Sequence, residues 1–331
     1  MKRGWTAENS AKIERYIASL GRQGRKVAIF DWDNTSIWND VGDATVLHLV
    51  RGDLIRLPRG GWGATSRWLT NEAVEELEAL CPSSESAVKS ANAECAAAIL
   101  GIYHRGLTPR GFAAWKPLPA ELRDTLKPAY AWGASLLAGR SVAEIESIAA
   151  DVIDAALAAP FASTLSLGGH DYDLSLRVNE EMMALAARLR ESGVETWVVS
   201  ASPEPIVRVF ALRYGFVPEK VIGVRNAMLD GAWGPDGLPL AGRGANEIMT
   251  YRKGKRAWIN HLVFGLEDEP SLTEKPSPIS FGAGDSDTDL HFLLDADFCV
   301  LIDRQAPEAS AAARRHPEKF AVQPPFFDPK R

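Results

Sequence analysis

The chain has 331 residues, 46% hydrophobic and 24% charged, the balance of a soluble globular protein long enough to bury a sizeable core. A formal net charge of -6 excludes a general electrostatic pull towards nucleic acid or an anionic membrane, and no run of about 18 apolar residues exists to span a bilayer. Cys81, Cys95 and Cys299 are too few and too scattered for a disulfide framework and form no CxxC pair for zinc, which suits a reducing compartment.

In chain order, the first ten residues are basic and then polar, without the apolar run of a signal peptide. The expected location is therefore cytoplasmic, or periplasmic had a leader been removed. Residues 7–20 set Ile13, Ile17 and Leu20 at helical spacing, and the glycines of 21–24 stop that helix. Val27-Ala28-Ile29-Phe30 is a continuous apolar run ending in Asp31-Trp32-Asp33-Asn34-Thr35, the pattern of a strand buried on both faces of a parallel sheet. Residues 41–176 differ in character, being rich in Ala, Leu, Glu and Trp. They carry helical runs at 70–80, 84–100 and 142–157, with Pro and Gly clusters at 57–63 and 107–119 marking loops.

From residue 179 strand and helix alternate. Helices are expected at 179–191, 203–214 and 255–264, and strands at 196–200, 221–224 and 279–282, with 298–302 the last apolar strand. That alternation predicts an α/β fold built on a right-handed parallel sheet. Residues 1–40 and 177–331 then form a discontinuous Rossmann-like core, and 41–176 an inserted α-helical cap.

Chemistry in such sheets sits where strands end. Asp31 and Asp33 are two apart at a strand end, so both carboxylates can face one ligand. A carboxylate is a competent phosphoryl acceptor, but it must meet an anionic phosphate, which calls for a divalent cation and fixed positive charge. Asp285 and Asp289 of Gly284-Asp285-Ser286-Asp287-Thr288-Asp289 are candidates to hold that cation, and an all-oxygen set favours Mg²⁺. Lys253 offers the positive charge, and Thr35 and Ser200 offer hydroxyl donors to phosphate oxygens. An EF-hand reading fails, because Ser36 and Gly42 stand where the calcium loop needs Gly and Glu, as do Leu290 and Ala296 in the second group. No GxxxxGK[ST] motif occurs.

In series, VAIFDWDNT, VVSAS, YRKGKRAWI and FGAGDSDTDL resemble the four motifs of the haloacid dehalogenase superfamily. The resemblance implies Asp31 as nucleophile, Asp33 as general acid and base, and Ser200 and Lys253 as phosphate ligands. It implies Asp31, Asp285 and the Asp33 carbonyl as Mg²⁺ ligands, with Asp289 behind the ion or touching it. Lys253, followed by Gly and a helix, is more similar to the phosphoserine phosphatase pattern, with Lys255 as the alternative. The longer spacing from Lys253 to Asp285 is assigned to a surface loop at 267–278.

The cap stands where phosphoserine and phosphorylcholine phosphatases have theirs, and DWDNTSIWND, VVSASPE and the tryptophan-rich insertion resemble the phosphorylcholine phosphatase branch. The expected function is Mg²⁺-dependent hydrolysis of a small phosphate monoester, phosphocholine- or phosphoethanolamine-like, through an aspartyl phosphate. Alternatives are a phosphoserine phosphatase, a phosphotransferase of the same fold, and a catalytically silent binding protein. Thr35, Ser200, Ala201, Lys253, Asp40 and Trp38 form the expected phosphate- and substrate-binding set. Six of ten tryptophans lie between 32 and 132, which allows an aromatic cage for a quaternary ammonium, and Asp40 and Asp43 can balance its charge. Arg51, Arg56, Arg59 and Arg67 keep a phosphoserine carboxylate in play. The expected partner is a small phosphorylated metabolite, with no nucleic acid and no membrane; no motif sets an oligomeric state.

Overall fold

The computed structural model describes residues 4–21, 23–84, 87–238, 240, 248–266 and 279–327; the loop expected at 267–278 lies outside the described residues. The chain opens with α1 (Ala7–Ser19), β1 (Val27–Asp31), the short β2 (Ile37–Trp38) and α2 (Val41–Arg51). The insertion continues with α3 (Asn71–Leu80), a hairpin of β3 (Ser83–Ser84) and β4 (Ala87–Val88), then α4 (Ala93–Leu100), α5 (Pro128–Ser135) and α6 (Val142–Ala158). A second hairpin of β5 (Thr164–Leu167) and β6 (His170–Asp173) follows, and the chain returns through β7 (Arg177–Val178), paired with β2. The remainder is α7 (Glu180–Glu191), β8 (Glu195–Pro203), α8 (Glu204–Leu212), β9 (Val221–Val224), the hairpin of β10 (Asn226–Leu229) and β11 (Ala232–Gly237), and α9 (Lys253–Leu262). Last come β12 (Ile279–Gly284), α10 (Leu290–Asp295), β13 (Ala296–Ile302), α11 (Pro307–Arg315) and β14 (Phe320–Gln323).

Six strands form one sheet in the order β14-β13-β12-β1-β8-β9, every neighbouring pair parallel. The protein is thus an α/β fold, and the wholly buried apolar run of β1 occupies a central place with helices on both faces. Between 41 and 176 the chain adds no strand to this sheet among the described residues. Its helices nevertheless share one hydrophobic core with it: α6 packs along α8, and Leu49, Ile145 and Ile153 join a cluster containing Val207 and Phe210.

Some expected elements differ. The helix expected over 84–100 begins only at Ala93, where the Asn92 side chain accepts a hydrogen bond from the Glu94 amide. Just before it, the Ser90 hydroxyl turns inward to the Val50 carbonyl at 2.8 Å. The strand 298–302 is not the last, since β14 adds a sixth at the edge. The cysteine reading is also corrected: Cys81, at the C-terminus of α3, and Cys95, in the first turn of α4, are joined by a disulfide, so the cysteines no longer support a reducing compartment. Cys299 is a buried thiol. No helix among the described residues is long and apolar enough to cross a membrane.

Candidate active site

Asp31 closes β1, and the chain then folds back on itself: the Ser36 and Ile37 amides both donate to the Trp32 carbonyl, and Asn34 takes a left-handed φ of 59°. This turn brings the Thr35 hydroxyl to 2.8 Å from Asp31 Oδ2. Asp31 Oδ1 accepts from Lys255 Nζ at 2.6 Å, and the same ammonium donates to Asp289 Oδ1 at 2.7 Å. Burial works against the Lys255 charge, but Asp289 and Asp31 outweigh it and hold the ammonium above its ordinary range. Asp31 is pushed upward by burial and by Asp289, against the pull of Lys255.

The choice between the two lysines is thereby corrected. Lys253 is the first residue of α9, its side chain is exposed, and it lines no part of the catalytic cavity. Two residues later the helix has turned about 200°, which aims Lys255 at the core. Gly254 lets the helix start sit this deep, because a Cβ there would stand 2.0 Å from the Met249 carbonyl oxygen.

Asp33 is held from two elements. Its Oδ1 accepts from the Val41 amide at the start of α2 at 2.7 Å, and its Oδ2 from the hydroxyls of Ser200 at 3.0 Å and Ser202 at 2.8 Å on β8. Burial and the nearby Asp40 carboxylate push it up to about 7, against those three donors. An acid that both holds and releases a proton near neutrality is what general acid–base work requires.

Asp285 lies just past the end of β12. Burial, then Asp31 and Asp289, raise it well above the carboxylate range. Asp31, Asp285 and Asp289 bring ligand oxygens within 4.8 Å of one another, an acidic group able to bind a metal ion. Within that group Asp289 is already committed. Its Oδ2 accepts from the Asp285 and Ser286 amides at 3.1 and 3.2 Å and its Oδ1 from Lys255, so Asp289 anchors the lysine. The less committed oxygens belong to Asp285, and three buried carboxylates facing one buried ammonium leave an excess negative charge that a hard dication fits.

A cavity of about 320 Å³ opens over these groups, lined among others by Asp31, Asp33, Asp40, Ala201, Ser202 and Lys255. Tyr103 and Tyr130, from between residues 41 and 176, line it as well. Beside it a second cavity of about 440 Å³ shares Asn34, Asp40, Tyr130 and Arg304 with the first and adds Asp43, Asp171, Tyr172 and Asp173. Asp43, 41% exposed, accepts a hydrogen bond from Tyr103. His104 in the same wall is pushed down to about 4 by burial and Arg105, so it stands there neutral.

A family model for haloacid dehalogenase-like hydrolases matches residues 103–294, more than half of the chain. The chain belongs to that family. The matched span contains Ser200, Lys255, Asp285 and Asp289 of the hydrolase, and the fold brings Asp31 and Asp33 to them. No curated protein matches the chain. Among solved structures, a conserved protein of unknown function from Anaerococcus prevotii DSM 20548 is 20% identical with a TM-score of 0.68, covering 98% of this chain and 93% of that one. A protein of unknown function from Bordetella pertussis Tohama I is 16% identical with a TM-score of 0.54, covering 92% and 100%. A phosphoserine phosphohydrolase-like protein from Francisella tularensis subsp. tularensis SCHU S4 is 12% identical with a TM-score of 0.44, covering 90% and 95%. Identities this low speak to fold alone.

Of the other residues singled out in the hydrolase's sequence, Asp40 and Ala201 line the catalytic cavity. Thr35 and Ser200 are wholly buried beneath it, their hydroxyls donating to Asp31 and Asp33. Trp38 is elsewhere, paired with Arg177 between β2 and β7 and packed on Phe161 at 4.9 Å. The aromatics at the site are tyrosines. Ser202 is a residue the motif reading passed over, although strand alternation puts it on the same face as Ser200. Arg304, Tyr103 and Tyr130 carried no local signal.

Proposed function

We propose that this hydrolase is a magnesium-dependent phosphomonoesterase acting on a small phosphate ester with a cationic head group, of the phosphocholine or phosphoethanolamine kind. The observation that carries the reaction is a pair of carboxylates on one cavity wall in unlike settings. Burial raises both to about 7, but Asp31 has an ammonium at 2.6 Å that pulls towards its charged, nucleophilic form, whereas Asp33 has only neutral donors and an acidic neighbour and keeps its proton for transfer.

In the first step an Asp31 oxygen forms a bond to phosphorus as the bond to the ester oxygen breaks, and Asp33 delivers its proton to the departing alcohol. In the second, Asp33 takes a proton from a water molecule whose oxygen attacks the same phosphorus, and the acyl phosphate bond breaks to return Asp31 and release phosphate. Asp31, Asp285 and the Asp33 main-chain carbonyl would hold the magnesium ion, which offsets the negative charge of phosphate meeting carboxylate.

The head group is argued from the neighbouring cavity: Asp40, Asp43, Asp171 and Asp173 beside Tyr130 and Tyr172 make an acidic and aromatic chamber suited to an organic cation. Arg51, Arg56, Arg59 and Arg67 line neither this chamber nor the catalytic cavity, which weakens the phosphoserine alternative. With magnesium chloride, the enzyme is expected to release phosphate from phosphocholine and phosphoethanolamine with higher kcat/KM than from phosphoserine, and to stop on addition of EDTA. A preference for phosphoserine would move the head group, turnover indifferent to EDTA would remove the metal, and transfer to an added alcohol without phosphate release would make it a phosphotransferase.

A further inference from the structure

A phosphate that approaches Asp31 meets a wall containing four aspartates, Asp31, Asp33, Asp40 and Asp285, and two cations, Lys255 and Arg304. The ammonium of Lys255 is 2% exposed and donates to two carboxylates at 2.6 and 2.7 Å, so little of its charge faces the cavity. The buried hydroxyls of Thr35 and Ser200 are spent on carboxylates as well. Arg304 is differently placed. It follows β13, its side chain is 44% exposed, and its Nη1 stands 3.7 Å from Asp285 Oδ2, an ion pair without a hydrogen bond. No side-chain hydrogen bond engages its guanidinium among the described residues, which leaves the planar fork of donors open towards the cavity that it helps to line.

We propose that Arg304 is a phosphate-binding residue of this enzyme, its guanidinium taking two oxygens of the substrate phosphoryl group in the cavity that it lines with Lys255. The inference rests on the phosphomonoesterase reading, and it adds to Lys255 a second cation whose donors are not taken up by carboxylates. A guanidinium suits the task because it stays charged at any working pH and matches the spacing of two phosphate oxygens. It also explains why one arginine borders both the catalytic cavity and the acidic chamber: it keeps the anionic end of a zwitterionic substrate at Asp31 while the cationic end lies among Asp40, Asp43 and Asp173.

Two measurements on the magnesium-loaded protein test it. Titration calorimetry with inorganic phosphate is expected to show Arg304→Gln binding about tenfold more weakly than wild type, with Arg304→Lys between them. With p-nitrophenyl phosphate, which has no cationic group, Arg304→Gln is expected to lose kcat/KM mainly through KM. Unchanged melting temperatures establish that the half-exposed side chain was not needed for folding. Phosphate binding equal to wild type in Arg304→Gln overturns the proposal, as does a loss confined to phosphoserine, which would place the guanidinium on a leaving-group carboxylate. A wild-type protein that binds phosphate through Arg304 but hydrolyses no phosphomonoester would sink the enzymatic reading and leave this site standing.

Discussion

Lys255 and Lys253 differ by two positions and in every physical respect that matters. Lys255→Ala leaves two buried carboxylates facing each other without their ammonium, which is expected to cost about 3–5 kcal/mol in urea unfolding and to abolish phosphate release. Lys253→Ala, at an exposed side chain, is expected within about 0.5 kcal/mol of wild type and active; the reverse ranking would contradict the site. Asp33→Asn keeps the hydrogen bonds to Ser200 and Ser202 within reach but removes the transferable proton, and steady-state turnover is expected to fall about 10²–10⁴-fold. That Asp31, Asp33 and Asp285 gather around one cavity was legible because each stands at or just past the end of an apolar strand run. The hydrogen bonds of Thr35 and Ser200 to Asp31 and Asp33 were not, since a sequence does not record which neighbour a hydroxyl meets. For the tryptophans, core packing is the commoner role of large aromatics, and Trp32 packs on Phe210 at 5.4 Å and Trp62 on Trp132 at 6.3 Å.

Among elements, those with several turns or a full apolar run could be read, and the shortest could not. The helix α6 carries a capping box at Ser141 and Glu144 and apolar residues at helical spacing, so its limits were found to within a residue. The hairpin of β3 and β4 has too few residues to show alternation, and it was absorbed into a helix that Asn92 in fact starts. The Cys81–Cys95 bond that spans this hairpin belongs to no motif; only the packing of α3 on α4 brings the sulfurs together. Closing a loop of 14 residues is worth about 3 kcal/mol in the unfolded-chain entropy model. Replacing both cysteines by serine, or adding dithiothreitol, is therefore expected to lower the thermal midpoint while the metal-loaded enzyme keeps its kcat, because neither cysteine lines the catalytic cavity. A midpoint indifferent to reductant would remove the bond from the account of the insertion's stability.

At the scale of the whole molecule, the acidic site links stability to pH and to metal. Asp31, Asp33 and Asp40 are raised to about 7, each first by burial, and Asp285 is raised well above the ordinary carboxylate range. Folded carboxylates with raised pKa bind protons that the unfolded chain has already released. Their contribution is complete below the ordinary carboxylate range near about 4 and is lost as pH rises through about 7. The EDTA-treated protein is accordingly expected to melt at a lower temperature at pH 8 than at pH 5, and magnesium chloride to recover most of the difference at pH 8. A melting temperature that does not fall over this range would mean that the carboxylates are not crowded as described. The α/β class was legible from alternation, but strand order was not, because parallel neighbours are chosen by long-range packing that no local pattern records. That order has a consequence for synthesis on the ribosome. β1 finds its partners in β8 and β12, and Phe30 pairs with Ala283 about 250 residues later, so at roughly 5–20 residues per second the sticky strand ending in Asp31 waits on the order of tens of seconds for both neighbours. A nascent chain stalled before residue 279 would therefore be without an active site and would carry an open strand edge, the state most in need of a chaperone.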